Sequence, residues 1–121
     1  MLYLVIIGDI IKSRKLSNRY EVQETFSSVV SEAQIEYGKD LVSPITLTIG
    51  DEFQSVMANA NDLFKIVDKL DLKMHPVQLR YGFGIGTIDT KINKQISIGM
   101  DGPAFHRARE ALDVARKQNR R

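Results

Sequence analysis

The chain has 121 residues, of which 43% are hydrophobic and 26% are charged, as expected for one globular domain with a modest core. Seventeen Lys and Arg against fifteen Asp and Glu leave a formal net charge of +2, which excludes a strong overall field toward nucleic acid or anionic membranes. The absence of cysteine excludes disulfides and Cys-based zinc sites, as is typical of a reducing compartment.

The first predicted element is a strand at residues 2–7, the continuous apolar run LYLVII, which ends at Gly8. A run of this kind is typical of a strand that is buried on both faces of a sheet. It is too short for the core of a signal peptide or for a membrane span, and no basic leader precedes it. We therefore expect a cytoplasmic protein that is soluble and does not bind membranes.

Helical spacing of apolar residues predicts an amphipathic helix at residues 18–37. Asn18 and Glu21 lie three positions apart, as the two members of a capping box do. Gly38 follows the last apolar position and suits the end of the helix. The first strand is therefore followed by a helix.

The middle of the chain predicts a hairpin and then a second helix. Residues 45–49 alternate apolar and polar side chains, as a strand with one solvated face does, and residues 53–57 can pair with them across a turn at Gly50. A helix with an apolar inner side follows at residues 60–72.

The last third of the chain predicts a strand at residues 77–86 and a helix that begins at Pro103, a favourable first-turn residue. One face of this strand is apolar, whereas the other carries Arg80 and three glycines. Because glycine gives up packing inside a strand, the glycine face indicates a close approach by another group. That group is either a helix or neighbouring backbone, or else a nucleotide base or a second subunit, and the sequence leaves both open.

The order of the elements is strand, helix, strand, strand, helix, strand, helix. It predicts one α+β domain of residues 1–121 with a ferredoxin-like antiparallel sheet of four strands and helices on one face. In this fold the first and third strands are central neighbours, so Asp9 at the end of the first strand approaches Asp51 and Glu52 at the hairpin. The side chains expected in the core are Phe26, Val30, Val67, Leu70 and Phe105.

Clustered carboxylates need compensation, since two unit charges ~4 Å apart repel by roughly 4 kcal/mol at an effective dielectric constant near 20. A proton on one acid would compensate, and so would Mg²⁺ or Mn²⁺, which prefer oxygen ligands. Lys12, Ser13 and Arg14 follow closely in a loop that leads into a helix, where such side chains can bind phosphate oxygens. A metal beside a phosphate site is the plan of a nucleotide-handling enzyme.

Each of these signals also has a purely structural explanation. Gly-Asp in a hairpin is ordinary turn chemistry, and Asp9 can simply end a strand. Lys12 and Arg14 are also consistent with solvated loop charges. The predicted convergence of the acids is what favours a metal or ligand site.

Four segments of the chain carry a family resemblance, namely GDIIKSR (8–14), GDEFQ (50–54), LRYGFGIG (79–86) and GMDGPAFHRAREAL (99–112). Together they resemble the SatD family of bacterial proteins over essentially the whole chain. The resemblance does not imply a particular activity, because no biochemical role is established for the family. Some members continue into a helix-turn-helix segment, which we expect to be absent from this chain.

A more distant resemblance links the chain to the palm domains of class III nucleotidyl cyclases and GGDEF diguanylate cyclases. It implies two metal ions held by Asp9, the carbonyl of Ile10, and Asp51 or Glu52. It also implies a homodimer, because palm cyclases work as dimers.

The sequence departs from the cyclase pattern at two places. The hairpin has one glycine where GGDEF enzymes have two, and Phe105 or His106 stands on the last helix where an Asn is expected. Groups that stabilise the transition state are then missing, or are replaced by Arg107 and Arg109. These departures favour binding without cyclisation.

Two functions remain, and the sequence does not decide whether the protein is an enzyme. The first is an Mg²⁺-dependent nucleotide-binding domain, which could be a degenerate cyclase or a phosphotransfer enzyme. In it Asp9, Asp51 and Glu52 are the catalytic residues. The phosphate ligands are Lys12, Ser13, Arg14 and Arg109. The second is a regulatory or protein-interaction module without turnover, linked to a DNA-binding segment. In neither does this domain itself bind nucleic acid.

Overall fold

The computed structural model describes residues 1–12 and 16–118, and in this part of the chain one antiparallel sheet is combined with three α-helices. A 3₁₀ turn at Gly38–Asp40 separates the first helix from the second strand. No helix within the described residues is long and apolar enough to cross a bilayer. The elements are β1 (Tyr3–Ile10), α1 (Arg19–Tyr37), β2 (Leu41–Ile49), β3 (Glu52–Met57), α2 (Leu63–Met74), β4 (Leu79–Gly86) and α3 (Pro103–Lys117).

The strand order is β2-β3-β1-β4, with β1 antiparallel to both of its neighbours. This confirms the predicted α+β class, the four-stranded antiparallel sheet and the central place of the first strand. Because β1 and β3 run in opposite directions, the end of β1 lies beside the beginning of β3. Asp9 is directly opposite Glu52 in this register.

The helices cover both faces of the sheet, and here the prediction that they share one face was wrong. Leu4 and Ile6 of β1 belong to the larger core cluster with side chains of α1 and α2, whereas Val5 and Ile7 belong to a second cluster with side chains of α3. Successive strand residues point to opposite faces. The continuous apolar run of β1 therefore has a helical layer on each side, and α3 supplies the second one.

The predicted core is largely confirmed. Phe26, Val30, Leu70 and Phe105 are buried, whereas Val67 is only partly buried at the margin of the larger cluster. Phe26 and Phe53 contact each other edge to face, with ring centroids 6.1 Å apart, at the centre of this cluster.

Some local details differ from the sequence prediction. β2 begins at Leu41, four residues earlier than expected, and α2 begins at Leu63 rather than at residue 60. Asn18 precedes α1 but makes no side-chain capping hydrogen bond. Gly38 has right-handed helical dihedrals because the chain continues into the 3₁₀ turn instead of reversing there.

The glycine face of β4 lies directly under α3, so the helix is the group that makes the close approach. A Cβ atom on Gly82 would stand 2.2 Å from the carbonyl oxygen of Ala108, and one on Gly84 would stand 2.2 Å from that of Ala104. Because these oxygens belong to the backbone of α3, they can move away only if the whole helix shifts. The glycines therefore set the distance between α3 and the sheet.

We predict that Gly84→Ala lowers the free energy of unfolding by about 2 kcal/mol or more, because the added methyl group overlaps the α3 backbone. Urea unfolding of parent and variant measures the difference. Gly50→Ala is the control, since a Cβ there meets only the flexible end of the Gln23 side chain at 3.1 Å. Equal losses in the two variants would contradict the tight contact between α3 and β4.

Candidate functional site

Two buried carboxylates lie side by side where β1 ends and β3 begins. The β1–β3 register places Asp9 opposite Glu52, and the β1–β4 register places Arg80 opposite Asp9. Directly opposite residues project from the same face of a sheet. Asp9 is 4% exposed and Glu52 is 6% exposed, so each charge needs a partner inside the protein.

Helix α3 supplies two of these partners, Arg109 and Arg116. They are seven residues apart, which is about two helical turns, and therefore lie near the same side of the helix. Arg109 donates from Nη1 and Nη2 to the two carboxylate oxygens of Glu52, at 2.9 Å each. This fork-to-fork arrangement is the strongest geometry for a carboxylate and a guanidinium.

Arg116 links the two acids. Its Nε and Nη2 donate to Oδ2 of Asp9 at 3.0 and 2.6 Å, and Nη2 also lies 3.3 Å from Oε1 of Glu52. From the other side, Arg80 donates to Asp9 from Nε at 3.2 Å and from Nη2 at 3.4 Å. We call Asp9, Glu52, Arg80, Arg109 and Arg116 the acid–arginine network.

Two further side chains complete the surroundings of this network. The hydroxyl of Thr48 donates to Oε2 of Glu52 at 3.0 Å, and Asp113 accepts from Arg116 at 3.3 Å. With Asp113 included, three carboxylates face three guanidinium groups. The charges of the site are therefore balanced by the protein's own side chains.

The pKa values of the network respond to these contacts. Burial alone would raise the pKa of Glu52, but the hydrogen bonds and the charge of Arg109 outweigh it, and the pKa is lowered. The same hydrogen bonds raise the pKa of Arg109. Burial would lower the pKa of Arg116, but its hydrogen bonds to Asp9 outweigh this and raise it. Glu52 and both arginines are therefore charged at neutral pH.

The structure separates the two acids of the hairpin. Glu52 begins β3 and faces Asp9, whereas Asp51 lies in the turn, half-buried, and its main-chain carbonyl accepts the N–H of Ile10 at 3.1 Å. Ile10 itself is buried at the end of β1. Of the predicted acids, the sheet register thus pairs Asp9 with Glu52.

The predicted phosphate ligands are placed differently. Lys12 is exposed with a φ of 59°, and Ser13 and Arg14 lie outside the described residues. Arg109 is at the site, as expected, but its partner in the structure is a carboxylate. The binding of phosphate by these four residues stays a prediction.

Phe105, His106 and Arg107, which stand near the expected cyclase Asn position, lie outside the acid–arginine network. Phe105 is buried in the second core cluster. His106 is exposed and contacts Asp101 at 2.7 Å, and Arg107 donates to the carbonyl of Ile85 at 2.6 Å. Arg107 therefore contacts β4, and its replacement of a group that stabilises the transition state stays a prediction.

Sequence reasoning did not identify Arg80 and Arg116 as members of the site. Arg80 was recognisable in principle, because it stands on the glycine face of its strand and that strand pairs with β1. Arg116 follows Arg109 by two turns and follows Leu112 by one, a spacing that continues the buried side of α3.

Carboxylate oxygens are the ligands that Mg²⁺ prefers. In the arrangement that the structure shows, however, the carboxylates of Asp9 and Glu52 do not fit a divalent metal ion. Each of the four oxygens of Asp9 and Glu52 already accepts from a guanidinium group. Among the described residues, no group of three or more His, Cys, Asp or Glu is placed to hold a metal. The Mg²⁺ or Mn²⁺ site at Asp9, Ile10 and Asp51 stays a prediction.

Comparison with known proteins adds a family and a fold. The model of the SatD family matches residues 3–120. No curated protein sequence matches the chain significantly.

Several solved structures share the fold. A bacterial light-regulated adenylyl cyclase has a TM-score of 0.70 and 16% identity, with 96% of this chain and 71% of that chain covered. The adenylyl cyclase CyaB from P. aeruginosa has a TM-score of 0.69 and 14% identity, with 93% and 71% covered. A guanylyl cyclase domain of the RhoGC fusion protein from Blastocladiella emersonii has a TM-score of 0.67 and 14% identity, with 93% and 73% covered. At these identities the likeness shows the fold alone.

We predict that the free energy of unfolding decreases as the pH falls below about 4.5, the ordinary pKa of glutamate. The pKa of Glu52 is lowered in the folded protein, so its contribution is present above the unfolded-state value. That contribution is lost as the pH falls through the lower folded-state value. Denaturant unfolding from pH 7 to pH 3 measures this dependence.

Glu52→Gln tests the assignment of this pH dependence. The free energy of unfolding of the variant should be about 3 kcal/mol lower than that of the parent at pH 7, because Arg109 is left without its carboxylate. Below pH 4.5 the free energy of unfolding of the variant should depend less on pH than that of the parent. Glu110→Gln, at an exposed position of the same helix, is the control and should follow the parent. Parallel pH curves for the parent and Glu52→Gln would contradict the assignment.

Proposed function

The chain belongs to the SatD family, and from this premise we propose that it is a palm-fold domain of residues 1–121 that binds a nucleotide without cyclising it. The observation that carries the proposal is the acid–arginine network. It lies at the edge where the cyclase resemblance implies the reacting groups, and it presents arginines where a bare acid cluster was expected.

The arginines support binding of an anionic ligand. A guanidinium group has five N–H donors and matches phosphate oxygens in pairs. Arg109 uses two of these donors on Glu52, and its side chain is 40% exposed. Donors of Arg109 therefore remain toward solvent, where a phosphate group can reach them.

The same contacts argue against turnover. A catalytic carboxylate must have an oxygen free for a proton, a metal or the substrate, whereas the oxygens of Asp9 and Glu52 are taken by arginines. The last helix also lacks the Asn of the cyclase pattern. In the proposal Asp9 and Glu52 hold the arginines in place, and no step requires a divalent ion.

A second candidate function, a protein-interaction module, is favoured by the outer side of β4. This strand is at the edge of the sheet, and Phe83 and Ile85 on it are 42% and 57% exposed. Tyr81 stacks on Phe83 with ring centroids 6.3 Å apart, and Phe64 of α2 is also exposed. Exposed apolar side chains on an edge strand are typical of an interface, and a homodimer or an appended DNA-binding segment would suit it.

We predict that the purified protein binds ATP or GTP and returns it unchanged. Incubation with labelled nucleotide and Mg²⁺ or Mn²⁺, followed by chromatography, should show no cyclic or dinucleotide product. Calorimetry or filter binding should detect the bound nucleotide. A cyclic product would make the chain an enzyme, and absence of binding to the folded protein would leave the interaction module as the function.

Arg109→Lys should weaken nucleotide binding by about tenfold or more, since Lys keeps the charge but loses the planar set of donors, and one hydrogen bond to a charged group is worth roughly 1.5–3 kcal/mol. Arg107→Lys is the matched control, because Arg107 lies on the same helix but donates to the carbonyl of Ile85. Circular dichroism establishes that both variants are folded. Equal affinities in the two variants would remove Arg109 from the proposed site.

A further inference from the structure

We infer that Arg80, Arg109 and Arg116 are the resident cations of the Asp9–Glu52 pair and fasten α3 to the sheet as a metal-independent clasp. The inference concerns the same edge as the proposed function but not its ligand. It follows from the disagreement between the arrangement of this edge and the metal centre that the cyclase resemblance implies.

The Asp9–Glu52 pair needs positive charge beside it. Asp9 and Glu52 are directly opposite on neighbouring strands and nearly inaccessible to water. Buried like charges are stable only when a proton, a metal ion or a cationic side chain compensates them. Both oxygens of Glu52 accept from Arg109, as the oxygens of a charged carboxylate do, which leaves a metal ion or the arginines.

The carboxylate oxygens of this pair already accept hydrogen bonds from arginines. Oδ1 of Asp9 accepts from Arg80 and Oδ2 accepts from Arg116, at 3.2 and 2.6 Å. Both oxygens of Glu52 accept from Arg109 at 2.9 Å. Every carboxylate oxygen of the Asp9–Glu52 pair is therefore bonded to a permanently charged group.

The charges at this point are already balanced. Three guanidinium groups face Asp9, Glu52 and Asp113, so a divalent ion here would add an excess of positive charge. The guanidinium groups cannot relieve this excess by losing protons. The folded domain therefore has no electrostatic need for a metal ion here.

The network also connects α3 to the sheet. Arg80 is on β4, Asp9 on β1 and Glu52 on β3, whereas Arg109 and Arg116 are on α3. The network therefore joins three strands to the helix at the end opposite to Gly84 and Ala104. Loss of its cations should loosen the C-terminal half of α3 first.

The clasp is tested by thermal melts of the protein without nucleotide, in buffer with EDTA and then with millimolar Mn²⁺. We expect the melting temperature of the parent to be the same in both buffers. Arg116→Gln should melt roughly 5 °C lower or more in both, and Lys117→Gln, at the exposed neighbouring position of the same helix, should melt like the parent. If Mn²⁺ raises the melting temperature of the parent, the inference is overturned, and an absent response in Asp9→Asn would locate the metal at the acid pair.

A double-mutant cycle gives a second, independent readout. Asp9→Asn combined with Arg116→Gln should cost clearly less than the sum of the two single losses, and the coupling should be unchanged by EDTA. If Arg116→Gln does not fold, Arg116→Lys replaces it in the cycle and should retain part of the coupling. Additive losses would overturn the clasp. Because no nucleotide is present, failure of nucleotide binding leaves both results unaffected.

Discussion

The structure depends on the burial of two carboxylates side by side at one end of the sheet. Asp9 and Glu52 are opposite each other on β1 and β3, and at ~4 Å such charges repel by roughly 4 kcal/mol at an effective dielectric constant near 20. The two central strands cannot supply cations there, because neither β1 nor β3 contains a Lys or an Arg. The compensation has to come from β4 and from α3, which ties the helix to the acids.

The position of α3 over β4 follows from the similar spacing of residues along the helix and along one face of the strand. Ala104, Ala108 and Leu112 lie over the glycine face of β4 at a spacing of four residues, or about 6 Å of helix. Two residues of strand span about 6.6 Å, so each turn of α3 advances by one position of that face. Arg116 is one turn beyond Leu112. It lies at the end of the glycine face, where β4 carries Arg80 instead of a glycine.

The sequence predicted the sheet, its strand order and the approach of Asp9 to the hairpin, because apolar runs and element order determine these. It could not decide between Asp51 and Glu52, since a slip of one residue in a hairpin turn moves a side chain to the other face. It assigned the compensating charge to a proton or a metal because the contact of Asp9 with Arg116 spans 107 residues. Such a contact follows from helix docking and leaves no local pattern.

The network also limits how tightly an anionic ligand can bind at this edge. Phosphate oxygens and the carboxylate of Glu52 would compete for the same guanidinium of Arg109, and a buried carboxylate that loses its partner costs several kcal/mol. A ligand is therefore favoured only if it uses donors that Glu52 leaves unused, or if the helix shifts with it. In the second case binding would loosen the contact between α3 and the sheet. Ligand binding and the position of the helix are then coupled through the same three arginines.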